Sequence, residues 1–208
     1  ITSSIAVGKG PEQMLLVGNK LFVTNSGGYE TDSTVSIIDT DTQNVIATIT
    51  VGVKPNSIKK DDHGRIWILC GGTTGPDYVG GTPDDIGGSI WRINANTYAT
   101  ELELTMPQFD HPLKLQTNDA GTKLYYLGGI DGYNGDIYVM DADDLSLPLI
   151  AFRSGSFSGL GINPQTSEIW GAVAPSFTQN GYVLKYDLNG IKLDSMNVGI
   201  GPNGFAFN

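Results

Sequence analysis

Oxygen-bearing side chains alternate in Asp39-Thr-Asp41-Thr-Gln43, the spacing with which the first half of an EF-hand loop gathers calcium ligands. The pattern then breaks. Asn44 stands where that loop needs glycine, and Thr50 where it needs a bidentate glutamate. The motif also recurs, as Asn94-Ala-Asn96, Asp141-Ala-Asp143 and Asp187-Leu-Asn189, each time between two strand-like runs. Asx side chains there accept backbone hydrogen bonds and tolerate left-handed geometry, so the motif reads as a hairpin turn.

A second set of residues suits recognition. Four segments rich in Gly, Asp, Asn and Ser each carry one aromatic: Tyr29 in Ser26–Ser33, Tyr78 in Gly71–Gly88, Tyr133 in Gly128–Gly135 and Phe177 in Ala174–Gly181. Acids and amides lie beside them, among them Asp77, Asp131 and Asn134. Exposed rings offer stiff contact area and polar neighbours fix a ligand's orientation, so these residues are expected to form a binding platform. The 18-residue segment Gly71–Gly88 is the strongest single candidate, because connections of that length often have a function. Phe109 and His111, in Gln108-Phe-Asp-His-Pro112, are expected beside the platform.

Catalytic templates fit poorly. No nucleophile elbow or phosphate-binding loop is present, and two histidines cannot supply a His-rich metal site. His63, in Asp61-Asp-His-Gly64, reads as a solvated turn residue. No catalytic residue, metal or resident cofactor is therefore expected. The single cysteine, Cys70, sits in the apolar run Arg65-Ile-Trp-Ile-Leu-Cys and reads as core; it excludes an internal disulfide. With 22 acids against 12 Lys and Arg, the net charge is −10, which disfavours nucleic acid and anionic membranes as partners and makes a cationic, polar or uncharged ligand easier to accept.

The elements that must carry these residues are short strands. Segments opening at Pro11, Pro55, Pro112, Phe157 and Pro202 lead to apolar positions Met14, Ile58, Leu115, Leu160 and Phe205, spaced 44, 57, 45 and 45 apart. Second runs follow at Leu21–Thr24, Ile66–Leu69, Leu124–Leu127 and Ile169–Ala172, and third runs at Val35–Asp39, Ile90–Asn94, Ile137–Asp141 and Val183–Asp187. Fourth runs are read at Val45–Val51, Ala99–Leu104, Leu147–Phe152 and Ile191–Val198. β-Branched and aromatic residues fill these runs and helical periodicity is absent. Four strands in about 45 residues is the period of a β-propeller blade.

The expected fold is therefore all-β, a β-propeller with four complete four-stranded blades. Blade boundaries fall near 9–52, 53–106, 110–153 and 155–199, with one flanking strand at each end, 1–8 and 200–208. The inventory reads as part of a seven-bladed ring, whose remaining strands, on the order of 110 residues, would come from a further part of the chain.

Leu21-Phe-Val-Thr-Asn25, then Val35-Ser-Ile-Ile-Asp39 and Val45-Ile-Ala-Thr-Ile-Thr-Val-Gly52, resemble the YVTN family of seven-bladed propellers, with Phe22 at the tyrosine position. The ending Val198-Gly-Ile-Gly-Pro-Asn-Gly-Phe-Ala-Phe-Asn208 is similar to those of surface propellers of gut Bacteroidetes, a group that includes lipoproteins capturing cobalamin for an outer-membrane transporter. The resemblance implies a non-catalytic extracellular binder of cobalamin or another nutrient, at the outer-membrane surface and lipid-anchored through a segment outside this sequence. A lactonase-like or amine-dehydrogenase-like propeller and a structural surface-layer module are the alternatives from other classes.

Overall fold

The computed structural model describes residues 4–76 and 78–207, and every regular element among them is a strand. The first sheet holds β1 (Pro11–Val17), β2 (Lys20–Asn25), β3 (Thr34–Asp39) and β4 (Asn44–Thr50). The second holds β5 (Pro55–Lys60), β6 (Ile66–Cys70), β7 (Ser89–Ile93) and β8 (Thr100–Thr105). The third holds β9 (Leu113–Thr117), β10 (Lys123–Gly128), β11 (Gly135–Asp141) and β12 (Arg153–Phe157). The fourth holds β13 (Gly159–Ile162), β14 (Ile169–Val173), β15 (Asn180–Tyr186) and β16 (Lys192–Ile200). In each sheet the strands pair antiparallel in chain order.

Sequential sheets meet through their first strands, β1 against β5, β5 against β9 and β9 against β13. Each sheet is thus a propeller blade with its first strand innermost and its fourth outermost. Burial follows from that position: β6 is buried along its whole length, whereas β4 and β8 alternate between exposed and half-buried. A strand sandwiched between neighbouring blades has no polar side, which is why Ile66-Trp-Ile-Leu-Cys70 is continuously apolar.

Three clusters glue the blades. Phe22, Val35 and Ile37 pack on Ile58, Ile66 and Ile68 between the first and second. Trp67, Leu69 and Ile90 pack on Leu115, Leu124 and Tyr126 between the second and third, and Tyr125, Leu127 and Phe157 on Leu160, Ile169 and Tyr186 between the third and fourth. Burying each large side chain contributes about 1.5–3 kcal/mol, so these seams hold the blades in register. Cys70 is in the first seam, and burial pushes its thiol up to about 12.

The repeated turn motif behaves as expected in the first, second and fourth blades; in the third, Asp141 pairs with Lys123 and its amide donates to Asp144 Oδ2 at 2.9 Å. Asp39 Oδ1 accepts the Asp41 and Thr42 amides at 3.1 and 2.8 Å, Asn94 Oδ1 those of Asn96 and Thr97, and Asp187 Oδ1 those of Asn189 and Ile191.

One expectation needs correction. The outer strand of the third blade is Arg153–Phe157, pairing Gly135 with Phe157 and Ile137 with Arg153, not Leu147–Phe152. Pro148 cannot donate to a ladder, and Leu149 and Ile150 project into solvent instead. The strand that does form, Arg-Ser-Gly-Ser-Phe, is polar because it lies on the rim; the third blade therefore reaches Phe157, and Ser158 alone links it to β13. The flanking segments were expected to pair with strands outside this sequence, and residues 4–8 and 202–207 have no ladder partner among the described residues. The second of these segments still packs beside β13. A Cβ on Gly161 would meet Phe205, and Phe205 and Phe207 both set their rings edge-on to Trp170.

Candidate ligand-binding face

Antiparallel order brings the connections between second and third strands, and the links between blades, to one end of the molecule. Hydrogen bonds fix their bases. The Ser26 amide donates to the Gly10 carbonyl and the Gly71 amide to the Lys54 carbonyl, both at 2.9 Å, so the first two blades use the same hook. In the third blade the hook reverses, with the His111 amide donating to the Gly129 carbonyl at 2.7 Å. Asn56 Nδ2 donates across to the Pro112 carbonyl at 2.8 Å, and Ser158 Oγ to the Pro202 carbonyl at 2.7 Å, tying one blade's mouth to the next.

Two adjoining recesses open on this end. The first, about 330 Å³, lies where three blades meet and is lined by Glu12, Ser26, Lys54, Asn56, Thr73, Tyr78, His111, Asp131 and Tyr133. The second, about 410 Å³, lies between the third and fourth blades and is lined by Leu113, Lys114, Tyr133, Asn134, Ser158, Phe177 and Asn203. Gly132 and Tyr133 belong to both, so the third blade's loop forms the wall between them. A third recess, about 400 Å³, sits further out and is acidic, with Asp110, Asp131 and Asp136 around Tyr138.

The expected platform residues divide among these places. Tyr78, His111, Asp131 and Tyr133 line the first recess; Tyr133, Asn134 and Phe177 line the second. The four loop rings do not fold over their own blades: Tyr29 is 99% exposed, Tyr78 73%, Tyr133 75% and Phe177 96%. Tyr29 borders none of these recesses, and Phe109, 41% exposed, lines none either. Asp77 lies outside the described residues. Asp131 is occupied locally: its Oδ1 accepts the Tyr133 and Asn134 amides, each at 2.8 Å, so it aims Tyr133 at the recesses.

His111 is not a free ligand group. It is buried, Nδ1 faces the Gly71 carbonyl at 3.0 Å and Nε2 faces Asp85 Oδ2 at 3.1 Å. Both nitrogens face an oxygen and are engaged within the fold. Asp85 is fully enclosed. Burial pushes its carboxyl up, but the His111 hydrogen bond, the Gly81 amide and the Thr82 hydroxyl outweigh that and hold it below the usual carboxylate range. Gln108 Nε2 adds bonds to the Pro83 and Asp85 carbonyls at 3.0 and 3.2 Å. The long loop of the second blade is therefore pinned to the link into the third.

Asp110, next in sequence, shows the opposite balance. Its Oδ1 is buried with no hydrogen-bond partner among the described residues, and burial pushes its carboxyl up against the weaker pull of the Gly129 amide and His111.

On the opposite end, Asp61, Asp62 and His63 gather oxygen and nitrogen atoms at metal-like spacing. A guanidinium already fills that position. Asp61 Oδ2 accepts from Arg65 Nε at 2.6 Å and Trp67 Nε1 at 2.8 Å, while Oδ1 accepts the His63 and Arg65 amides. His63 is half-exposed and bonded to Asp62, in keeping with a surface turn.

Sequence reasoning overlooked Lys54, Lys114, Glu12, Ser158 and Asn203. A signal for three of them was present. Glu12, Asn56, Leu113, Ser158 and Asn203 each follow the residue that opens a repeat, and all five line a recess.

No family model and no curated protein matches the chain. Solved structures do. Hydrazine synthase of Kuenenia stuttgartiensis superposes with a TM-score of 0.69 at 16% identity, over 95% of this chain and 52% of that one. A dihydro-heme d1 dehydrogenase superposes at 0.62 with 14% identity, over 94% of this chain and 39% of that one. A Bacteroides caccae protein of unknown function gives 0.58 at 14%, over 91% and 61%. The chain thus spans between about two fifths and three fifths of the structures it is similar to. At such identities the likeness is one of fold, and the fold is a β-propeller.

Proposed function

We propose that this propeller is a non-catalytic extracellular binder that captures a nutrient, cobalamin being the first candidate, at the outer-membrane surface and passes it to a transporter there. The observation that carries the binding reading is Tyr133, an exposed ring on a short turned loop, forming the shared wall of two recesses at one end. Rigid blades with aromatic and amide groups on the loops supply area and orientation together. The non-catalytic part draws support from His111, whose two nitrogens are both engaged and whose partner Asp85 is enclosed. The nutrient and the surface location draw support from the repeat's resemblance to surface propellers.

Titration of the full-length protein with cobalamin, followed by the ligand's visible absorbance, tests this. Saturable binding at micromolar concentration is expected, weakened at least about fivefold by Tyr133→Ala, since an aromatic stack on a ligand is worth about 1–3 kcal/mol. Absence of binding at that concentration excludes cobalamin. Binding indifferent to Tyr133→Ala moves the site off this face.

A further inference from the structure

We propose that Asn203-Gly204, at the second recess, is a self-modification site: the Gly204 backbone nitrogen attacks the Asn203 side-chain amide, which Lys114 activates, and the residue becomes aspartate or isoaspartate. This goes beyond the binding reading and stands without it. The chain holds four Asn-Gly pairs, at Asn134, Asn180, Asn189 and Asn203. Glycine is the residue that lets the following nitrogen reach the amide carbon, because no Cβ stands in the way. In three of the pairs the fold itself demands the glycine. A Cβ on Gly135 would come within 2.3 Å of the Gly128 carbonyl oxygen, one on Gly181 within 2.5 Å of the Val173 carbonyl oxygen, and Gly190 has φ of +78°. Gly204 has no such reason among the described residues. Its φ is not left-handed, and a Cβ there would meet nothing within 4 Å.

The pairs also differ in how the attacking nitrogen is held. Gly135 and Gly181 belong to β11 and β15, and the Gly190 amide donates to the Asp187 carbonyl at 3.0 Å. Gly204 follows the last strand, and its amide makes no hydrogen bond among the described residues. It has no bond to give up on the way to attack. At the other reacting end, Lys114 Nζ donates to Asn203 Oδ1, the oxygen on which negative charge develops, and a donor already in place there lowers the barrier. The bond from the Gly204 nitrogen to Asn203 Cγ forms, the Cγ–Nδ2 bond breaks, and ammonia leaves with the amide proton, giving a cyclic imide. Both residues are exposed, so water reaches the imide and opens it at either carbonyl. Either product puts a carboxylate beside Lys114 in place of a neutral amide, so the recess gains an ion pair as the molecule ages. The isoaspartate also lengthens the main chain two residues before Phe205, whose ring meets Trp170.

The test is to age the full-length protein at neutral pH and body temperature, digest it and map the peptides by mass spectrometry, since all four pairs then report from one sample. Asn203 should convert at least about tenfold faster than Asn134, Asn180 or Asn189, the difference one hydrogen bond makes to a barrier. It should pass through a linear peptide lighter by one ammonia and end as a mixture of aspartate and isoaspartate. Gly204→Ala should slow conversion at least about tenfold and, because its Cβ has open space, melt within about 2 °C of wild type. Lys114→Met should slow it about tenfold, the loss expected for one donor to a developing charge. A lysine that merely tethered the segment would give the reverse, since release would speed attack. A rate at Asn203 no greater than at the other three pairs overturns the site, as does a Gly204→Ala chain that converts as fast as wild type. A rate unchanged or raised in Lys114→Met overturns the part given to Lys114. A peptide cross-linked between Lys114 and Asn203 would make the lysine the attacking group and overturn the proposal too. All of these outcomes are read without ligand, so they are separate from the cobalamin titration.

Discussion

The loops of the second and third blades end in the same place and use their polar residues in opposite ways. The longer, Gly71–Gly88, turns a carboxylate inward: Asp85 is enclosed and bonded to His111 on the next blade's link. The shorter, Gly129–Asn134, turns its carboxylate on itself: Asp131 caps the loop's own amides and leaves Tyr133 standing out between two recesses. Length was the reason to expect the first loop to bind. The structure shows part of that length used to build a strap, while Tyr78 of the long loop and Tyr133 of the compact one both stand at the first recess. An insertion must satisfy its own backbone before it can offer anything to a ligand, whereas a six-residue turn needs one aspartate to do so.

The largest effect that would break this contrast is on stability. Asp85→Ala strips His111 Nε2, the Gly81 amide and the Thr82 hydroxyl of their shared acceptor in an enclosed place, and should lower Tm by about 10 °C. Scanning calorimetry measures it; a Tm within about 2 °C of wild type would mean the strap is ornamental. The same carboxylate should appear in the acid limb. Its value is depressed in the fold, so its stabilisation is complete above the unfolded-state pKa, about 4, and drains as pH falls through the lower folded value. Wild type should lose Tm below about pH 4 more steeply than Asp85→Ala does.

A smaller effect belongs to the open loop. Asp131→Ala frees two exposed amides that water can satisfy, so Tm should fall by only about 2 °C, while ligand affinity should fall with it because Tyr133 is no longer held. Smaller still, and of opposite sign, is Asp110→Asn. Asp110 is raised above its unfolded value, so the native state holds its proton more tightly and stability is lost as pH rises through that raised value. Asparagine removes the charged form, and Tm at pH 7 should rise by about 2 °C. Acid titration of both proteins checks the sign: their melting temperatures should converge as pH falls.

Much of the fold was legible because a propeller writes its period into the chain. The recurring Asx turns and the apolar second strands place three of the four blades strand by strand. The third blade's outer strand escaped because a rim strand needs no apolar residues, so Arg-Ser-Gly-Ser-Phe looks like a link and Leu147–Phe152 looks like a strand, despite Pro148. The site was half legible. Loop aromatics announce themselves by type, and all four are exposed. Their grouping depends on how far each loop leans, and only Tyr78, Tyr133 and Phe177 line a recess. His111 was read as a candidate ligand because its partner lies 26 residues away. Lys54 was missed because a left-handed lysine is invisible until the backbone angle is known.

The central claim is that binding belongs to the recesses around Tyr133 and not to exposed aromatic rings in general. Affinity for cobalamin, measured side by side for wild type, Tyr133→Ala and Tyr29→Ala, tests it most directly. Tyr133→Ala should weaken binding at least about fivefold and Tyr29→Ala should leave it within about twofold, because Tyr29 borders neither recess. Equal losses in the two variants, or a loss in Tyr29→Ala alone, would contradict the account.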